Sequence, residues 1–284
     1  MTPTLFELTE IVCRALEEDI GDGDVTTHCT VAEDLWLDGR FVAKASGVLA
    51  GLDVATLAFK LLDERAVVTR LVADGAMVAP KQTLATVTGP ARALLTGERT
   101  ALNILQRMSG IATAAHAFTE ALRGTHAKIL DTRKTAPGLR ALDKLAFAIG
   151  GGVNHRIGLF DRVMIKNNHI DACGGSITTA VNRVREQDAR KRPIEVEVRN
   201  FEELHEALSL NVDRIMLDNM TPDDMRKAVA LVAGRVALEA SGNITIDNAA
   251  QVAATGVDFI STGSVTHSVK ALDISLWLSA PRTQ

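Results

Sequence analysis

The chain has 284 residues, 46% of them hydrophobic and 23% charged, the balance of a folded globular protein of one or two domains. A formal net charge of -4 excludes the strongly basic footprint of a nucleic-acid-binding protein, and no apolar run reaches the roughly 20 residues of a membrane helix. Cys13, Cys29 and Cys173 form neither a CxxC pair nor a disulfide framework, and the acidic N-terminus lacks the flank of a secretory signal, so a cytoplasmic protein with reduced thiols is expected.

In chain order, an amphipathic helix comes first, then the turn-rich stretch GDGDVTT from Gly21 to Thr27. Strand-like runs follow in GRFVAKASGVLAG, RAVVTRLVADGAMV and QTLATVTGP, broken by Gly and Pro, with a helix starting near Leu52 between them. This portion reads as a small α+β unit. GERTALNILQRMSGIATAAHAFTEAL is long and helical, with Leu102, Leu105 and Met108 at three-residue spacing and an expected break or bend at Ser109-Gly110.

From Lys128 the pattern changes. The short apolar runs KILD, DRVMIK, PIEVEV, DRIMLD, VALEAS and VDFIST alternate with helical segments such as SITTAVNRVREQ, FEELHEALSL and TPDDMRKAVALVAG. Thr221-Pro222 is a cap followed by a proline at the first helical position. Alternation of this kind implies parallel strands joined by right-handed crossovers, in a barrel or a doubly wound sheet.

Polar residues collect just past these strands. Thr132, Arg133 and Lys134 follow the first, Lys166 the second, Glu197 and Asp218 end the next two, and Ser241-Gly242-Asn243 and Thr262-Gly263-Ser264 follow the last two. In a parallel barrel such ends converge on the face where active sites are built. Arg133, Lys134, Arg156 and Lys166, with His155 beside Arg156, form a cationic set suited to carboxylates and phosphates. Glu197 and Asp218 suit a magnesium ion on a polyphosphate, or a developing cation. The two Gly turns offer backbone N–H groups to a phosphate. A structural reading stands beside this: Arg133 and Lys134 pair with Asp131 or Asp143, and His155 caps or orients Arg156. Gly150-Gly151-Gly152 does not match a dinucleotide fingerprint, and no Cys or Ser nucleophile motif occurs.

The stretches GDVTT, GERTALNILQRMSGIAT, ILDTRKTAPGLRALDKLAFAIGGGVNHRIGLFDRVMIKNNH, IEVEV, IMLDNM, LEASGNI and STGSVTHS resemble, in order and over nearly the whole chain, the quinolinate phosphoribosyltransferase family. A small departure is Asn167, where the family pattern has an acidic residue before Asn168-His169. The resemblance implies an α/β protein with an N-terminal open α/β sandwich (residues 1–108) and an incomplete, TIM-like parallel α/β barrel of six to seven strands (109–268). A C-terminal tail (269–284) would pack back on the sandwich. It implies transfer from phosphoribosyl pyrophosphate to quinolinate with decarboxylation, in a homodimer or a hexamer built from dimers, without an organic cofactor.

By motif, Arg99 from a partner subunit, Arg133, His155 and Arg156 would hold the quinolinate carboxylates. Lys134 and Lys166 would stand between that end and the pyrophosphate. Glu197 and Asp218 would face the ribose hydroxyls and Mg2+, and the two Gly turns would take the ribose phosphate. Four alternatives compete: a molybdenum-transport-associated paralogue, nicotinate phosphoribosyltransferase, a Schiff-base aldolase using Lys134 or Lys166, and a non-enzymatic anion-binding module.

Overall fold

A computed structural model describes residues 2–279 and 282–283. Ala280, Pro281 and Gln284, within the expected tail 269–284, lie outside the described residues, as does Met1. The chain forms two compact units, one of residues 1–116, 135–151 and 266–284, the other of residues 117–134 and 152–265. Residues 135–151 thus group with the first unit although they lie between strands of the second.

The first unit opens with helix α1 (Leu5–Ile20), which starts at a capping box: Thr4 accepts from the Glu7 N–H while Glu7 reaches back to the Thr4 N–H. A short helix α2 (Val25–Thr30) follows within the GDGDVTT stretch, capped by Asp24, whose Oδ1 accepts the Thr27 N–H at 2.9 Å. Next come β1 (Leu35–Ala43), β2 (Gly47–Val48), α3 (Leu52–Leu62), β3 (Val67–Arg70), β4 (Met77–Val78) and β5 (Thr83–Pro90). β1 and β5 pair antiparallel with β3 beyond β5, and Ile274–Leu278 of the C-terminal segment pairs antiparallel with the other edge of β1. Phe41, Phe59, Leu84 and Leu94 are fully buried in this unit.

Helix α4 (Ala91–Ala121) runs for 31 residues without a break, which corrects the interruption expected at Ser109-Gly110. The Ser109 hydroxyl is used elsewhere: its Oγ accepts the Ala50 N–H at 3.0 Å and donates to the Ala50 carbonyl at 3.2 Å. A Cβ at Gly110 would stand 2.3 Å from the Lys270 carbonyl oxygen, so this glycine serves close chain approach rather than a bend.

The second unit contains β6 (Lys128–Leu130); helix α5 (Arg140–Ile149), which comes next in the chain, belongs to the first unit. Then follow β7 (Val163–Ile165), α6 (Asn167–Ala172), α7 (Ile177–Gln187), β8 (Ile194–Val198), α8 (Phe201–Ser209), β9 (Arg214–Asp218), α9 (Pro222–Val232), β10 (Ala237–Ser241), α10 (Ile246–Ala253) and β11 (Phe259–Ser261). The strands are all parallel in the order β6-β11-β10-β9-β8-β7, and Val153 adds a parallel bridge on the free side of β6. The first strand therefore pairs with the last, as in a barrel, and among the described residues the ladder is open between Val153 and β7. This is the incomplete α/β barrel that the family resemblance implies, and one of the two arrangements that the strand–helix alternation leaves open.

Side chains alternate along each strand. On β8, Val196 and Val198 are fully buried, and so is Glu195 between them and the strand start. Register sets Glu195 beside Arg214, Glu197 beside Met216, Glu239 beside Met216 and Phe259, and Ser241 beside Asp218.

Candidate active site

At the C-terminal end of these strands the second unit encloses a cavity of about 300 Å³. Thr132, Arg133 and Lys134 line it from the segment after β6, His155 and Arg156 from the segment before β7, Lys166 from the end of β7 and Ser241 from the end of β10. Residues separated by more than a hundred positions thus converge, because parallel strands all deliver their C-terminal ends to one face. Asp131, Met164, Met216, Glu239 and Ser261 complete the lining.

Glu197, Asp218, Gly242, Asn243, Thr262, Gly263 and Ser264 do not line this cavity, but they sit at the same strand ends. Glu197, only 7% exposed, joins it through Lys166, whose Nζ is 3.1 Å from Glu197 Oε2. Asp218 neighbours Ser241 in register, and its Oδ1 accepts from Asn219 Nδ2 at 3.0 Å. Asn219 Oδ1 in turn accepts from Asn243 Nδ2 at 3.1 Å. Gly242, at φ +100°, passes so close to Asn219 that a Cβ would lie 2.2 Å from its Oδ1, so only glycine allows this junction. Thr262 Oγ1 and Ser264 Oγ are 2.9 Å apart across Gly263. Arg99 is an exposed residue of α4, in the first unit.

Beneath the cationic rim lies a layer of buried charge that the strand-end reading passes over. His155 Nε2 is 3.0 Å from Glu195 Oε2 and 3.5 Å from Glu239 Oε2, and both carboxylates are fully buried. Arg214 Nη1 is 2.9 Å from Glu239 Oε2 and 3.8 Å from Glu195 Oε2, with its guanidinium 4.0 Å over the Phe259 ring. The sequence holds a clue to where these residues face, though not to their pairing across strands. Glu195, Arg214 and Glu239 stand two positions before Glu197, Met216 and Ser241, on the same strand face. Asp143, offered by sequence as a partner for Arg133 or Lys134, is instead bound by Arg107 within the first unit.

The electrostatics follow from this packing. Burial and the neighbouring Arg133 cation hold the Arg156 guanidinium below its usual value. Burial and the Glu239 charge raise Glu195, whereas His155 and Arg214 outweigh burial and keep Glu239 low. Burial disfavours a charged His155, and the two acids favour one. An imidazolium, however, would carry a hydrogen on Nδ1, where the Arg156 N–H already points at 2.6 Å. That contact makes Nδ1 an acceptor and the ring neutral, with its hydrogen on Nε2 toward the acids. The His155 N–H is itself held by Asp131 Oδ1 at 2.7 Å.

Comparison with known proteins agrees with this architecture. The model of the quinolinate phosphoribosyl transferase C-terminal domain matches residues 111–277, and that of the N-terminal domain matches residues 24–109. A nicotinate-nucleotide pyrophosphorylase [carboxylating] of Mycobacterium leprae is 46% identical over 274 residues, covering 94% of this chain and 95% of its own. The chloroplastic enzyme of the same name from Oryza sativa is 45% identical over 290 residues, covering 95% and 77%. The solved nicotinate-nucleotide pyrophosphorylase of Francisella tularensis superposes with a TM-score of 0.92 at 39% identity, covering 98% of each chain. The chain belongs to the quinolinate phosphoribosyl transferase family.

Proposed function

We propose that this protein transfers the phosphoribosyl group of phosphoribosyl pyrophosphate to quinolinate and decarboxylates the product to nicotinate mononucleotide, a step of NAD biosynthesis. The names of relatives that match along 94–95% of this chain support this reading. The observation that carries it is the juxtaposition of Arg133 and Arg156 in the lining of one cavity, where two guanidiniums side by side favour a doubly negative ligand. Incubation with quinolinate, phosphoribosyl pyrophosphate and magnesium tests it. Nicotinate mononucleotide and one equivalent of carbon dioxide are expected, and a product that keeps both carboxylates would refute it.

In this reading Arg133 and Arg156 hold the pyridine dicarboxylate with its ring nitrogen behind the sugar C1. The nitrogen lone pair forms the new N–C1 bond as the C1–diphosphate bond breaks. Lys134 and Lys166 neutralise the leaving oxygens, and the acids Glu197 and Asp218 stabilise the cationic sugar. The adjacent pyridinium nitrogen then stabilises, as an ylide, the electron pair left on C2 when that carboxylate departs as carbon dioxide, and C2 takes up a proton. Glu197 and Asp218 offer the oxygen donors that a hard divalent cation needs, so they would hold the magnesium brought in with the diphosphate. Bound there, it would supply charge neutralisation.

The Gly242 and Gly263 turns serve the ribose phosphate in this scheme. A homodimer or larger assembly, with Arg99 of one subunit completing the other's site, is part of the proposal. Its test is loss of activity in Arg99→Ala and recovery when that chain is mixed with Arg133→Ala. A cytoplasmic setting is supported by three free cysteines, and no helix among the described residues is long and apolar enough to cross a membrane.

A further inference from the structure

Two buried acids and an arginine in the interior of a barrel ask for a reason, since apolar side chains of similar volume often stabilise as well or better. Here the charged layer meets the cavity through His155 and Glu239. Glu195 and Glu239 both receive the Nε2 side of His155, at 3.0 and 3.5 Å, and Arg214 ties the two carboxylates together. With Nε2 turned to the acids, Nδ1 of the ring accepts the Arg156 main-chain N–H at 2.6 Å, and Asp131 fixes the His155 main chain from the other side. An acceptor nitrogen repels a carboxylate, so His155 in this state acts on a diacid through its neighbour.

We propose that Glu239, Arg214 and Glu195 are positioning residues for the carboxylate end of the site: they lock the His155 ring, and the ring sets the main chain from which the Arg156 guanidinium reaches the ligand. The identity of that ligand rests on the function proposed above. The end of the site that receives the diphosphate, built on Lys166, Glu197 and Asp218, lies outside this chain of contacts.

The test is calorimetric binding of quinolinate and, separately, of phosphoribosyl pyrophosphate with magnesium, to the full chain and to Glu239→Gln, Arg214→Met and Arg214→Lys, with KM and kcat for each. Losing one charge-assisted hydrogen bond predicts about tenfold weaker quinolinate binding in Glu239→Gln and Arg214→Met, with the other substrate within about twofold. Arg214→Lys, which keeps the charge, recovers most of the loss. Unchanged quinolinate affinity in Glu239→Gln, or equal weakening of both substrates, overturns the proposal. If Glu239→Gln yields no folded protein, the two Arg214 variants decide in the same way. Failure of both Glu239→Gln and Arg214→Met to fold marks the layer as merely structural and counts against it. Failure of the unaltered chain to bind quinolinate would sink the proposed function instead, which keeps the two outcomes apart.

Discussion

Arg107 grips the fully buried carboxylate of Asp143 through two parallel hydrogen bonds of 2.8 Å each, joining α4 to α5 within the first unit. Removing one partner strands a buried charge. Arg107→Ala is expected to destabilise the protein by about 3–5 kcal/mol, measured by urea unfolding, whereas a loss below about 1 kcal/mol would show that the pair is screened.

The cationic cavity makes a sharper demand. Arg133→Ala and Lys166→Ala are each expected to lower kcat/KM by about 100-fold or more, the scale of losing a preorganised electrostatic contact. Lys166→Ala also leaves the Glu197 carboxylate without its partner at 3.1 Å, so it should cost stability as well as activity. Steady-state kinetics beside thermal unfolding separate the two effects.

At the turn proposed to take the ribose phosphate, Gly242→Ala should destabilise by about 1–3 kcal/mol, because φ of +100° and a Cβ 2.2 Å from Asn219 Oδ1 both oppose it. The KM for phosphoribosyl pyrophosphate should rise, since the Asn219–Asn243 hydrogen bond is forced to open. A variant as stable and active as the parent would show that this junction yields easily.

Asp24 carries a pH prediction. Hydrogen bonds from Thr27, side chain and backbone, and then from Thr96 hold its carboxyl below the ordinary value of 3.8. A depressed folded value means that the stabilisation is present above pH 3.8 and fades as pH falls through the folded value. Asp24→Ala should therefore cost about 1 kcal/mol at neutral pH, the worth of a helix cap, and the gap to the parent should close in acid. A gap that widens below pH 4 would reverse the assignment. Chemical unfolding at several pH values reads this directly.

Much of this architecture was legible in residue order. Short apolar runs such as RIML and VALEA, each followed by a helical segment, specified parallel strands, and Thr132 to Lys134, Lys166 and Ser241 came together because strand ends share a face. Two things were not legible for physical reasons. Ser109-Gly110 carries a local helix-breaking signal that tertiary contacts at Ala50 and Lys270 override. Glu195, Glu239 and Arg214 lie in strands whose apolar neighbours mark them as buried, and burial alone hides whether an acid in such a strand has a partner. That partner comes from another strand, which pattern reading along one segment does not reach.

The interior charge layer has a further consequence for how the barrel chooses its alignment. Sliding β8 by one residue would turn Glu195 outward and Val196 inward, leaving Arg214 and His155 opposite an aliphatic side chain. Apolar strands alone tolerate such slippage, because one valine replaces another with little change. Complementary ions spread over neighbouring strands reject it, so the layer works as a key that admits a single strand alignment, and the mouth above inherits its geometry from that choice.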